Sequence, residues 1–434
     1  MSLESPTPRG SVLLPGPHDV TRHRLPNGMT VLVRENWTSQ AVVLRGILRV
    51  GSAHEPRDAA GLAQFTASLV TRGTARRSFA DIAESIESVG ATLGVGCGYF
   101  LTTFGGKCLH DDLPLLIDTL GDVLQRPTFP PEHVSRVRDQ ILNSLRQREA
   151  NTGIVAYQTF ARLIYPPDHP FARSVSGSRD SVANLTRDDL AAFYIAHYGP
   201  RDSILVVAGA VQTEAVLVLL EAALGGWQGA TRPAPGLPAV PNLSDIRQET
   251  VGLPGKTQSD LVLGAPGLDR AHADYVPMWV ANSILGQMGI GGRLGERVRE
   301  QAGLAYYARS TFDAGLGAGP WYARAGVNPA NVERAVGLIL DEMRRMRDQP
   351  VAAWELADVQ AYLTGSLPLD VETNESVASE LMDIELYGLG LDYLYRLPGL
   401  INAVTLADVQ AVARRWMTPD AYALAVAGPD MVTG

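Results

Sequence analysis

"LTRDDLAAFYIAHYGPRDSILVVAGA" runs from Leu185 to Ala210, and "VTLADVQAVARRWMTPDAYALAVAGP" runs from Val404 to Pro429, 219 residues further on. The two align without a gap. Thr186, Asp189, Ala192, Pro200, Leu205, Val207, Ala208 and Gly209 are each identical to their counterparts. Both copies read as a helix, a turn carrying proline, a buried strand and a glycine stop. The same offset carries a second segment. Leu113, Leu116, Ile117, Leu120 and Leu124 follow the i, i+3, i+4, i+7, i+11 spacing of an apolar helix face. Shifted by 219, they fall on Val332, Ala335, Val336, Ile339 and Met343, again all apolar. One offset that explains two separate segments marks a tandem duplication.

A chain of 434 residues is too long for one ordinary core, which agrees with two units. "GATRPAPGLPAVPN", Gly229 to Asn242, holds four prolines and reads as an extended linker. The boundaries expected are therefore 1–228 and 240–434. In the first unit, "HRLPNGMTVLVREN" reads as two short strands around an Asn27–Gly28 turn. "AVVLRGILRVGS" reads as a further strand. "GLAQFTASLVTRG" and "SFADIAESIESVG" read as helices, the second closed by Gly90. "ATLGVGCGYFLTTFGGKCL" is glycine-rich and strand-like. "LHDD" reads as a helix start with Asp111 or Asp112 as N-cap. Strands and helices mix without a strict βαβ rhythm. The fold class expected is α+β: two homologous units, each a largely antiparallel sheet with helices packed on one face.

Hydrophobic residues are 46% and charged residues 19%, the balance of a globular chain. A net charge of -9 without a basic run argues against a nucleic-acid partner, and the acidity reads as solubility. No apolar run reaches the ~18 residues of a membrane span. The opening "MSLESPTPRGSVLLPGP" shows no signal peptide, so the chain reads as cytoplasmic. A native leader replaced by "MSL" would instead make it periplasmic or secreted. Cys97 and Cys108 do not make a disulfide framework. They read as buried free thiols, with a single bridge left open. Of the eight histidines, no two fall at i, i+3 or i, i+4. Each reads as a surface or capping residue.

"GLAQFTASLVTRGT", Gly61 to Thr74, follows a segment "RVGSAHEP" and a strand "LPNGMTVLV". With the duplicated unit of about 220 residues, this order resembles the insulinase/pitrilysin family of zinc metallopeptidases over Arg22 to Gly428. The group includes the mitochondrial processing peptidases and the two-chain bacterial zinc proteases. It implies a clamshell, of which this chain forms half. In the family, this helix carries an inverted zinc motif, H-x-x-E-H. Two histidines at i and i+4 share a helical face and one Zn²⁺, and the glutamate between them acts as general base. A glutamate on a later helix completes the ligands. Here the corresponding positions are Gln64, Ala67, Ser68 and, in "VSRVRDQILNSLRQRE", Ser144. All the ligands and the base are missing, and Gln and Ser are poor Zn²⁺ ligands. The helix then reads as a packing element in which Leu62, Phe65, Leu69 and Val70 fill a core.

"GGRLGERVREQAGLAYYARSTF", Gly291 to Phe312, matches the family's "R-L-x-x-x-x-R-E-x-x-G-L-A-Y". The resemblance makes Arg299 and Tyr306 the pair that reaches the zinc site in the other half of the clamshell. A guanidinium and a phenol O–H aimed at a developing oxyanion would stabilise it. Strand alternation would turn the neighbouring Tyr307 to the opposite face. Read without the resemblance, Arg299 is one of three helix arginines with Arg293 and Arg297, and Tyr306 is a core tyrosine. "GQMGIGG", Gly286 to Gly292, lacks the context of a phosphate loop. The processing-peptidase alpha chains carry a longer glycine-rich loop there.

The resemblance thus implies a non-catalytic subunit that binds no cofactor itself. The partner expected is a homologous subunit carrying the zinc, and the substrate an unfolded peptide. In isolation a homodimer is also allowed. The alternative is a purely structural or binding homologue, like the core subunits of the respiratory bc1 complex. Arg299 and Tyr306 would then be remnants.

Overall fold

The computed structural model describes residues 14–229, 236–287 and 292–429. The first unit contains β1 (Val20–Arg24), β2 (Thr30–Glu35), β3 (Ala41–Leu48), α1 (Leu62–Leu69), α2 (Phe79–Glu87), β4 (Thr92–Cys97) and β5 (Thr102–Leu109). It continues with α3 (Leu113–Gln125), α4 (Pro131–Glu149), α5 (Thr152–Ile164), α6 (Arg179–Asn184), α7 (Arg187–His197), β6 (Ile204–Gly209) and α8 (Thr213–Leu224). The second unit contains β7 (Arg247–Gly252), β8 (Ser259–Pro266), α9 (Tyr275–Asn282), β9 (Ala305–Phe312), β10 (Pro320–Val327) and α10 (Val332–Asp348). There follow α11 (Ala353–Asp370), α12 (Asn374–Leu386), α13 (Tyr393–Asn402), α14 (Leu406–Trp416) and β11 (Ala423–Gly428).

The duplication is visible strand by strand. The first sheet has the order β1-β2-β6-β3-β5-β4 and the second β7-β11-β8-β10-β9. Apart from β1, the two orders are the same. In each, one pair is parallel (β2 with β6, β11 with β7) and the others are antiparallel. The repeated stretch builds α7 and β6 in one unit, α14 and β11 in the other, with bounds offset by the same 219 residues. Both helices open with the same device. The Thr186 hydroxyl accepts from the Asp189 amide and the Thr405 hydroxyl from the Asp408 amide, while each aspartate bonds back. Such a box satisfies two orphan donors. Thr186→Ala and Thr405→Ala should therefore each cost about 1 kcal/mol, read as a fall in denaturation midpoint at constant m value.

Local readings hold where the chain is locally specified. Gly28 and Gly90 take positive φ of 91° and 66°, at the β1–β2 turn and after α2. Leu62, Phe65, Leu69 and Val70 are buried. At "LHDD" a helix starts as expected, with Asp112 as its N-cap residue. A short turn His110–Asp112 precedes α3, and Asp112 stands at the cap position without a side-chain cap bond. Cys97 and Cys108 are free thiols on different strands, which closes the bridge left open by the sequence. Burial pushes both thiols up to about 12. Among the described residues no helix is long and apolar enough to cross a membrane.

Apart from α5 and α12, each unit's helices gather on one face of its sheet, as expected. The other face is covered by a helix from the opposite unit. On the first sheet, Val31, Val33, Leu205 and Val207 pack with the unit's own helices. Leu32, Val43, Ile47, Ile204 and Val206 alternate to the other face and join the core of the second unit. There α12 lies against β3 and β6. Reciprocally, Phe160, Ala161 and Ile164 of α5 pack on Val262, Ala423, Ala425 and Ala427 of the second sheet. Polar contacts follow the exchange. Arg22 pairs with Glu385 at 2.7 Å, and the Asn374 amide donates to the Ala41 carbonyl at 3.1 Å. The Tyr165 hydroxyl donates to the Ala318 carbonyl at 3.2 Å.

Candidate functional site

The helix α1 begins at Gly61, whose φ of +94° needs a glycine. Its first amides are held by Glu55. Oε1 accepts from Gly61 N–H at 3.1 Å and Oε2 from Ala63 N–H at 3.0 Å. The Glu55 side chain is buried, with 6% of the residue exposed. That burial pushes its carboxyl up from 4.5 to about 7, against the pull of the two amides and of Arg173. A folded-state value above the unfolded one favours folding in the protonated form. The contribution is therefore present below about 4.5 and is lost as pH rises through about 7. Relative to Glu55→Gln, the native chain should lose up to about 3 kcal/mol of stability between about pH 5 and about pH 8. Denaturant unfolding at the two pH values measures this. A difference that rises instead would mean the amides hold the carboxylate ionised.

On α1 itself, Gln64 and Ser68 share a face. The Gln64 side-chain amide donates to Ser68 Oγ at 3.2 Å, and Ser68 Oγ donates to the Gln64 carbonyl at 2.9 Å. Ala67 is fully buried at 0% exposure. Ser144 lies on α4, which packs against α1, but its residue is exposed. An amide, a methyl and two hydroxyls do not fit Zn²⁺, which takes thiolate, imidazole and carboxylate. Among the described residues, no three His, Cys, Asp or Glu side chains come together elsewhere as a metal site.

The second unit places Arg299 on a π-helical segment, Gly295–Gln301. Its arginine neighbours are tied down. Arg293 makes a two-pronged pair with Glu355 of α11, at 2.7 Å each. Arg297 lies 3.7 Å from the buried Glu342 of α10. Among the described residues, Arg299 pairs only with its chain neighbour Glu300, at 3.3 Å. The three arginines are thus not equivalent, which their spacing did not show. Glycine-rich residues 288–291 of "GQMGIGG" lie outside the described residues, as do 230–235 of the linker and 1–13 of the amino terminus.

Beyond Arg299 the chain enters β9, where the two tyrosines part. Register shifts between Gly326 and Val327 of β10: Tyr307 opposes Gly326, and Ala305 opposes Val327. Tyr306 is the extra residue of a bulge, and alternation does not carry across a bulge. Tyr306 is 74% exposed. Tyr307, expected on the opposite face from Tyr306, lines one cavity with Arg299. Its hydroxyl donates to Asp260.

That cavity has a volume of about 1260 Å³ and lies between α5 with the segment 171–178 and the face of β8, β9 and β10. Ala60, next to the cap of α1, is on its rim. Six arginines line it: Arg148, Arg162, Arg173, Arg299, Arg309 and Arg324. Sequence reasoning missed this gathering, because they come from separate elements with no common spacing. It also missed the meeting of His54 and His197, whose rings lie edge to face at 5.3 Å.

Comparison with known proteins agrees with this architecture. Residues 30–160 match the model described as insulinase (peptidase family M16), and residues 184–363 the one described as peptidase M16 inactive domain. An "uncharacterized zinc protease" of Streptomyces coelicolor is 30% identical over 422 residues, covering 94% of this chain and 90% of its own length. A "mitochondrial-processing peptidase subunit beta" of Lentinula edodes is 24% identical, covering 93% and 89%. The fold of a peptidase M16 inactive domain from Pseudomonas fluorescens superposes with a TM-score of 0.87, at 24% identity, over 96% of this chain and 99% of that one. The chain belongs to the insulinase family of peptidases, family M16.

Proposed function

We propose that this chain is the non-catalytic subunit of a two-chain zinc metalloendopeptidase. It supplies Arg299 and Tyr306 to a peptide held in the site of a homologous, zinc-bearing subunit. The observation that carries the reading is an asymmetry between the two units. The metal helix holds Gln64, Ala67 and Ser68, with Ser144 on α4, and cannot ligate zinc. The segment bearing Arg299 is anchored through Arg293 and Arg297, while Arg299 itself is left with an exposed neighbour. Tyr306 stands out at a bulge, and bulges recur where a side chain is re-aimed. Tyr307 is not the equivalent donor, because its hydroxyl is committed to Asp260.

In this role the guanidinium and the phenol O–H hold a peptide carbonyl oxygen and favour negative charge on it. This chain holds no cofactor; the zinc belongs to the partner. The substrate is an unfolded peptide, added as a strand to a sheet edge. β4 and β9 each form one edge of their sheets and pair on one side. The names of the two relatives, one a zinc protease and one a subunit, support the reading.

The test is cleavage of an unstructured fluorogenic peptide, with zinc measured by elemental analysis. The isolated chain should be inactive and hold no stoichiometric zinc. Mixed with a homologue bearing H-x-x-E-H, it should raise activity above that of the homologue alone. Activity with stoichiometric zinc in the isolated chain would overturn the reading. A homologue that gains nothing from the mixture would leave the chain a structural or binding protein.

A further inference from the structure

We infer that the arginine-lined cavity is a binding site for an acidic peptide segment, recognised through its carboxylates. The inference rests on the reading of this chain as a peptide-binding subunit and names the class of peptide. The chain as a whole carries a charge of -9, yet six arginines converge on one cavity. Among the described residues, the single carboxylate on its wall is Asp260, and its oxygens are already engaged by Tyr307, Thr152 and Gln258.

The arginines are not consumed by the fold. Arg162 donates to Thr159 Oγ1 at 2.9 Å, and Arg299 faces Glu300. Arg148, Arg173, Arg309 and Arg324 make no ion pair within 4.0 Å among the described residues. The buried Nε atoms of Arg148, Arg173 and Arg324, and Nη1 of Arg173, have no hydrogen-bond partner among the described residues. Buried donors left without acceptors are costly, and a guanidinium presents a fork that fits a carboxylate. Two further carboxylates outside the wall do not resolve this. Glu55 lies near Arg173 but accepts from the α1 amides. Asp313 accepts from the Tyr157 hydroxyl at 3.4 Å.

Shape favours a peptide over a small anion. The volume exceeds the ~300–1,000 Å³ of ordinary small-molecule sites. Aromatic residues share the wall with the charges: Tyr99, Tyr157, Phe171 and Tyr322. Such a surface suits an extended chain with acidic and apolar residues in turn. A lysine-rich segment is repelled by the same field.

The test is direct binding to the isolated full chain, read by fluorescence anisotropy. The probe is a labelled, unstructured decapeptide alternating glutamate with alanine and leucine. It is compared with the same peptide bearing glutamine or lysine. The acidic peptide should bind at least tenfold tighter than the glutamine peptide, and salt should weaken it steeply. The lysine peptide should not bind. Arg324→Gln should weaken the acidic peptide at least tenfold. Arg309→Gln, at an exposed side chain, should do so severalfold, and it keeps the test decisive if Arg324→Gln does not fold. Equal binding of the acidic and glutamine peptides, or indifference to both substitutions, overturns the inference. Tripolyphosphate binding without peptide binding also overturns it, and leaves a small-anion site. Because the assay uses neither metal nor partner, failure here with activity in the mixed complex removes the charge preference alone.

Discussion

Expressed separately, residues 1–228 and 240–434 should each fail to fold, although each contains a complete sheet. The reason is the exchange of α5 and α12. Without the second unit, Leu32, Val43, Ile47, Ile204 and Val206 lose their cover, and all five are now nearly fully buried. Each loses about 1.5–3 kcal/mol of burial, in total comparable to the whole stability of an ordinary domain. The second unit fares no better, because Val262, Ala423, Ala425 and Ala427 lose Phe160 and Ile164. The pieces should lack near-ultraviolet circular dichroism and bind the dye ANS, in the manner of loosely packed states. Co-expressed, they should reassemble into a complex that co-purifies. Two independently folded halves, each with a sharp unfolding transition, would show that the exchanged helices add little.

This arrangement also marks how far the sequence could be read. The 219-residue offset gave the tandem units because helix and strand periodicity are local properties, and because Thr186/Asp189 and Thr405/Asp408 repeat the same cap. The linker reading followed from proline chemistry. The exchange of α5 and α12 was invisible, since an apolar helix face does not say which sheet it covers. The expectation that Gln64, Ala67, Ser68 and Ser144 do not ligate zinc came from residue chemistry once the resemblance had fixed the positions. The tyrosines were harder. Alternation predicts facing only while register is regular, and the bulge at Tyr306 breaks it. The arginine cavity had no sequence signal at all. Its members span residues 148 to 324, and only folding brings them together.

In the mixed complex, Arg299→Ala should lower kcat by about two orders of magnitude, with KM changed far less. A donor aimed at charge that develops during reaction stabilises the transition state more than the bound peptide. Its removal therefore appears in kcat. Tyr306→Phe deletes one hydroxyl and keeps the ring, and a fall of similar order is expected. Arg299→Lys keeps the charge but not the fork, so it should recover only part of the loss. Tyr307→Phe is the control. It breaks the bond to Asp260 and should lower stability by about 1 kcal/mol while leaving kcat nearly unchanged. If Arg299 and Tyr306 act on the same oxygen, the double variant should lose less than the product of the single losses. Single-turnover cleavage, with assembly checked by size-exclusion chromatography, separates these outcomes. Unchanged kcat in both single variants, with the complex intact, would make the pair a remnant. A rise in KM alone would make it a peptide anchor with no part in the chemistry.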